Sequence, residues 1–209
     1  MPYDLTQIRT ISSAQGMRQR PKMYLGDPAQ HGLANRLLEE SLCISLDALQ
    51  MGAARKLEVQ FFEDGSVRVS DDSSGLDMTR DESDIPFPQR LMTELYACSH
   101  EKSDETRHFC DIGIVCTNVF STWLHLEIFQ AGIHWSQRYV EGEPQAPFEN
   151  IGFTDRTGNQ LHFKPDPSIL SSSNFDQDGF YDWFSQLQIP NTRVEIDSVH
   201  ARVALVVTI

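Results

Sequence analysis

Two β-hairpins leave this chain few ways to fold. Residues 57–63 (LEVQFFE) and 66–71 (SVRVSD) alternate apolar and polar side chains and meet at Asp64-Gly65. Asp-Gly is a strong hairpin signal, because both residues tolerate the positive φ that a tight turn demands. Residues 123–140 (WLHLEIFQAGIHWSQRYV) repeat the pattern around Ala131-Gly132. Segments 159–166 (NQLHFKPD) and 201–209 (ARVALVVTI) read as further strands. Helical spacing appears in Ala34, Leu37, Leu38, Ser41, Leu42, Ser45, Leu46 and Leu49, which fall on one stripe. Residues 86–99 and 176–188 read as helices, and Pro21 and Gly26 punctuate a short helix and a turn. Residues 110–122 are apolar and remain open between helix and strand. Hairpins with several helices predict an α+β chain: a two-layer α/β sandwich with a mixed, mostly antiparallel sheet and its helices on one face.

A chain of 209 residues supports one sizeable core. It contains no run near the ~18 apolar residues that a membrane helix needs. The start, MPYDLTQIRT, lacks the basic and apolar regions of a signal peptide, so a cytoplasmic protein without membrane contact is expected. Cys43, Cys98, Cys110 and Cys116 form no CxxC and no metal-type spacing, so free thiols and no metal site are expected. A net charge of −13 argues against direct binding of nucleic acid, which takes clustered Lys and Arg. The acidity serves solubility, or docking on a basic partner surface.

The stretch 68–76 (RVSDDSSGL) follows a strand with two carboxylates and three small residues. As a local pattern it fits an ordinary Asx turn. It equally fits a carboxylate held at a sheet end to receive a ligand.

Three segments then carry a resemblance. RQRPKMYLGD (18–27) is similar to R-K-R-P-G-M-Y-I-G-D, VSDDSSGL (69–76) to V-x-D-D-G-R-G-I, and Gly142-Glu143-Pro144-Gln145-Ala146-Pro147 to G-x-P-Q-A-P. Thr157-Gly158 falls on the T-G-T strand that follows. All belong, in this order, to the ATP-binding domain of DNA gyrase B and its topoisomerase IV relative. The resemblance runs over residues 3–197. It implies the Bergerat (GHKL) fold and a single domain over 1–209 with an N-terminal arm over 1–12. It also implies that the transducer domain is absent, along with strand passage.

The resemblance implies an intact adenine half of the site. Asp71 takes the place of the carboxylate that accepts from the adenine amino group, and Gly75 that of the glycine beside the base. Thr157 and Asn159 stand on the T-G-T strand, with Asn159 in place of its second threonine. The same comparison implies a damaged catalytic half. NRLLEE aligns Glu40 with the water-polarising glutamate and puts Ile44 where an Asn would ligate Mg²⁺. A one-residue shift gives Glu39 and Cys43 instead, and neither register restores the hard oxygen ligand that Mg²⁺ prefers. Residues 107–113 (RHFCDIG) match the glycine-rich phosphate lid with only Gly113 kept. Ser73 and Ser74 replace the Gly and Arg of D-D-G-R-G, Gln130 replaces a third arginine, and 97–100 (ACSH) replaces A-G-G-K. Tyr3 matches the arm tyrosine that crosses to the nucleotide of the other protomer, which implies a homodimer through the arm.

Three functions are therefore expected. The leading one is an adenine-nucleotide-binding (ADP or ATP) pseudo-ATPase with little use for Mg²⁺. The others are a weak ATPase with Glu40 as its base, and an interaction module that binds a protein partner.

Overall fold

The computed structural model describes residues 10–27, 32–95, 112–187, 189, 193–197 and 204–208. The arm with Tyr3, the segment 97–100 and lid residues 107–111 lie outside the described residues.

Helices α1 (Ser13–Arg18), α2 (Lys22–Leu25), α3 (Leu33–Ser41) and α4 (Cys43–Gln50) precede strands β1 (Lys56–Phe61) and β2 (Val67–Asp71). Helices α5 (Phe87–Thr93) and α6 (Val115–Val119) lead to β3 (Ser121–Gln130), β4 (Ile133–Val140), β5 (Glu143–Pro144), β6 (Glu149–Phe153) and β7 (Gly158–Pro165). Helix α7 (Gln177–Gln186) and strands β8 (Arg193–Asp197) and β9 (Ala204–Thr208) follow.

The strands form one sheet in the order β5-β4-β3-β7-β2-β1-β9-β8, with β6 also on β4. Every pairing among the described strands is antiparallel. Both hairpins occur as the alternation requires, β1 with β2 and β3 with β4. Strand β7 enters between them, pairing with β2 and β3, so the two hairpins become one sheet. This carries residue 159 next to Asp71.

Leu57, Val59, Phe61, Val67, Val69, Leu124, Leu126, Leu161 and Phe163 are buried, while their neighbours along each strand are only half-buried. The buried set shares one cluster with Met17, Leu37, Leu38, Leu46, Met92, Val115 and Phe180 from six helices. The helical layer therefore covers one face. The opposite face is polar: Glu127 accepts from Gln160 and pairs with His134 at 2.9 Å, and His125 bonds Ser136.

Two local expectations change. The stripe over 34–49 is not one helix but two, α3 and α4, meeting at Leu42, whose N–H donates to both Leu38 and Glu39. Over its described residues, 112–122, the ambiguous segment resolves into a short helix, α6, followed directly by the start of β3. A buried apolar run carries no period to choose between helix and strand, so tertiary packing decides. Strands β5, β6 and β8 had no sequence signal strong enough to be expected.

The RQRPKMYLGD motif plays a structural part. Arg18 donates to the Val119 carbonyl at 2.7 Å and pairs with the buried Asp166, with Glu141 3.5 Å away. The Phe120 carbonyl accepts from Asp166 N–H, so the arginine ties α1 to the α6–β3 junction and the end of β7.

Candidate functional site

The RVSDDSSGL stretch ends β2 and enters a tight loop. Asp71 is 8% exposed, and a carboxylate so placed is costly unless it is paired. It is well paired. Ser45 Oγ, from α4 in the helical layer, donates to Asp71 Oδ2 at 2.7 Å. Ser73 donates to Oδ1 through its backbone N–H at 3.0 Å and its hydroxyl at 2.6 Å. Asn159 adds longer contacts of 3.3 Å from its backbone and side-chain nitrogens. Asp72 is spent differently: its Oδ1 accepts from the N–H groups of Arg55 and Lys56 at 2.7 and 2.8 Å, capping the start of β1. The Asx turn and the presented carboxylate are thus one arrangement, with Ser73 closing the turn on Asp71.

Asn159 holds the loop as well. Its side-chain oxygen accepts from Leu76 N–H at 2.8 Å, and its amide donates to Ser73 Oγ at 3.2 Å. Thr157, more exposed, donates to the Asp72 carbonyl at 3.3 Å. Gly75 has φ +81°, and a Cβ there would sit 2.7 Å from the Phe129 carbonyl. The missing side chain thus lets the loop lie against the end of β3. Gly158 is tighter still: at φ +113° a Cβ would come within 1.9 Å of the Asp71 carbonyl.

Asp71 shares a cavity of about 20 Å³ with Ser41, Ile44, Ser45, Met92 and Asn159. That is the room a single water requires. A separate groove of about 500 Å³ lies between Arg80–Gln89 and Pro144–Phe148 and shares no lining residue with it.

Of the two helix registers, the structure turns Glu40 inward. It is 4% exposed, and its carboxylate accepts from Gly113 N–H at 2.9 Å and Ile112 N–H at 3.2 Å. Glu39 is half-buried, and burial raises its pKa, offset in part by Arg36 and reinforced by Glu40. Ile44 lies on the same helical side as Ser41 and Ser45, lining the cavity. Gly113 has φ +117°, and its amide donates to the Glu40 carboxylate. Among the described residues no group of three or more His, Cys, Asp or Glu is placed to hold a metal. Cys43 and Cys116 are buried and form no disulfide with each other.

Asp71, Gly75, Thr157 and Asn159, singled out by their motifs, thus meet at one place. Glu40 and Gly113 are joined to each other nearby, on α3 and at the start of α6. Ser73 meets Asp71 as the Asx-turn reading of the stretch requires, whereas Ser45 was not expected as its partner. One signal pointed to Ser45, a serine on the buried stripe of a helix.

An antiparallel sheet with one helical face and this loop at a strand end form the α+β arrangement expected of a gyrase-type ATP-binding domain. Comparison with known proteins points the same way. The chain is 29% identical over 204 residues to the DNA gyrase B protein of Clostridium acetobutylicum, covering 96% of this chain and 32% of that protein. It is 32% identical over 180 residues to gyrase B of Thermotoga maritima, covering 84% and 28%. For gyrase B of Halalkalibacterium halodurans the identity is 30% over 201 residues, covering 93% and 31%. The chain therefore spans about a third of the length of the curated relatives it matches. No family model matches it. It resembles a gyrase B domain in a divergent form.

Proposed function

We propose that this is a single gyrase-B-like domain that does not turn over ATP. One observation carries the reading: the Glu40 carboxylate is buried and bound to the amides of Ile112 and Gly113. A general base must reach the proton it abstracts; this one is committed to backbone donors. Ile44, one turn on, offers Mg²⁺ no oxygen. Steady-state hydrolysis, measured with Mg²⁺, is expected to be no greater for the wild type than for Glu40→Ala. The same substitution is expected to lower stability by about 1–3 kcal/mol, because it strips two amides of their acceptor. Wild-type turnover clearly above that of the variant overturns the reading.

The proposal includes adenine-nucleotide binding through Asp71, Asn159 and the Gly75 loop, weak and independent of Mg²⁺. Its support is that the residues implied by the resemblance do converge at one buried carboxylate. Titration with ADP, with and without Mg²⁺, tests it; strongly Mg²⁺-dependent affinity contradicts it.

A second reading, in which the domain works through protein contact, is favoured by the exposed side of β6. Phe153 is 98% exposed and Ile151 53%, an apolar pair on a strand that pairs only with β4 among the described residues. Dimerisation or a protein partner, including a component of gyrase or topoisomerase IV, belongs to this reading, as does a cytoplasmic setting. No helix among the described residues is long and apolar enough to cross a membrane. Binding to purified gyrase that is unaffected by Phe153→Ser removes this surface from consideration.

A further inference from the structure

We propose that Ser45 and Ser73 lock the base subsite, satisfying Asp71 from within so that a purine amino group must displace one of their bonds to be held, which keeps adenine binding weak. The inference rests on the reading of Asp71 as the base-facing carboxylate.

An ionised carboxylate offers about four acceptor positions. The Ser45 hydroxyl, the Ser73 hydroxyl and the Ser73 N–H take three of them at 2.7, 2.6 and 3.0 Å. Asn159 covers the remainder at 3.3 Å. The two hydroxyl bonds are the shortest, and both serines are buried, at 5% and 7% exposed. Bulk solvent is therefore kept from them.

The two serines come from opposite layers, Ser45 from α4 and Ser73 from the loop after β2. The bonds therefore draw the helix wall and the sheet wall of the cavity together on Asp71. Ser73 Oγ also accepts from Gly75 N–H at 3.3 Å and from the Asn159 amide at 3.2 Å, which pins the loop on the sheet side. An entering amino group must break a hydroxyl bond to make its own. It then gains no net hydrogen bond while the 20 Å³ cavity has still to open.

Both serines are replaceable. Ser73 lacks the positive φ that would call for glycine, yet glycine fits there without steric cost. Alanine at Ser45 is compatible with α4.

The experiment is calorimetric titration of adenosine, ADP and guanosine, without Mg²⁺, into the wild type, Ser45→Ala, Ser73→Gly and the double variant. Circular dichroism and thermal melting verify folding. Where Ser45→Ala does not fold, Ser45→Cys replaces it, a side chain of similar size and weaker donor strength. The double variant is expected to bind adenosine and ADP about tenfold tighter or more, the worth of one recovered hydrogen bond. Adding Asp71→Asn is expected to cancel the gain. Guanosine, with a carbonyl where adenine has its amino group, is expected to gain nothing. Equal affinity in wild type and folded variants overturns the lock, as does an equal gain for guanosine. Wild-type ATP hydrolysis, by contrast, refutes the proposed function and leaves the affinity comparison to be judged by itself.

Discussion

Gly158→Ala is expected to destabilise the domain more than any other small substitution in it. The new Cβ would lie 1.9 Å from the Asp71 carbonyl oxygen and 2.7 Å from its carbon, both backbone atoms that cannot swing away. Residue 158 also holds φ +113°, where a side chain costs on the order of 1–3 kcal/mol. Forcing β7 away from the end of β2 adds roughly another 1–3 kcal/mol of overpacking. The sum is a large part of the ~5–15 kcal/mol that holds a typical domain together. Melting of the variant should begin about 10 °C lower, given the usual 2–4 °C per kcal/mol for a chain of this size. A melting temperature within about 2 °C of wild type would show that β7 and Asp71 are not so closely seated.

Arg18→Ala is expected to come next. Its guanidinium pairs with Asp166 and bonds the Val119 carbonyl, with side chains only 13% and 7% exposed. Removing one partner of a buried pair leaves the other charge uncompensated, at about 3–5 kcal/mol. The pair also leaves a pH signature. Burial pushes the Asp166 pKa up, but hydrogen bonds from Arg18 and Ser168, with the arginine's charge, outweigh it and hold the value below the ordinary one. A depressed carboxylate contributes stability that is present above its unfolded value, near 3.9, and is lost as pH falls through the folded value. Wild type should therefore lose stability below about pH 4, and Arg18→Ala should show a shallower acid loss from a lower starting point. The double variant Arg18→Met/Asp166→Asn should recover part of the loss, because no buried charge is then left alone. Identical acid profiles for wild type and Arg18→Ala would place the pair outside the stability of the fold.

These variants mark what could be read in the amino-acid order. The hairpins were legible because Asp64-Gly65 and the flanking alternation are local. So was the stripe over 34–49, although its break at Leu42 was not: the apolar period runs through the junction of α3 and α4 unaltered. Convergence of Asp71 with Thr157 and Asn159 came from motif resemblance, and no local pattern joins residues more than eighty positions apart. The helix stripe favoured Glu40 over the shifted alternative Glu39, because that register keeps Leu37, Leu38, Leu42 and Leu46 on the core face. In the packed helix Glu40 is buried against the amides of Ile112 and Gly113, and Glu39 is half-buried.

Amino-acid order alone was enough for the α+β class, the two hairpins, the gyrase-type order of motifs and the want of a side-chain oxygen at Ile44. Period-two alternation, turn chemistry and residue identity are properties of neighbours along the chain. The part played by Asp71 emerges only on packing. Whether a carboxylate is free for a ligand depends on the donors around it, and here they come from α4, from its own loop and from β7. Insertion of β7 between the hairpins and packing of α4 over the sheet bring those donors within 2.6 to 3.3 Å. The packed chain thereby turns a carboxylate that reads as open in the sequence into one already hydrogen-bonded by Ser45 and Ser73.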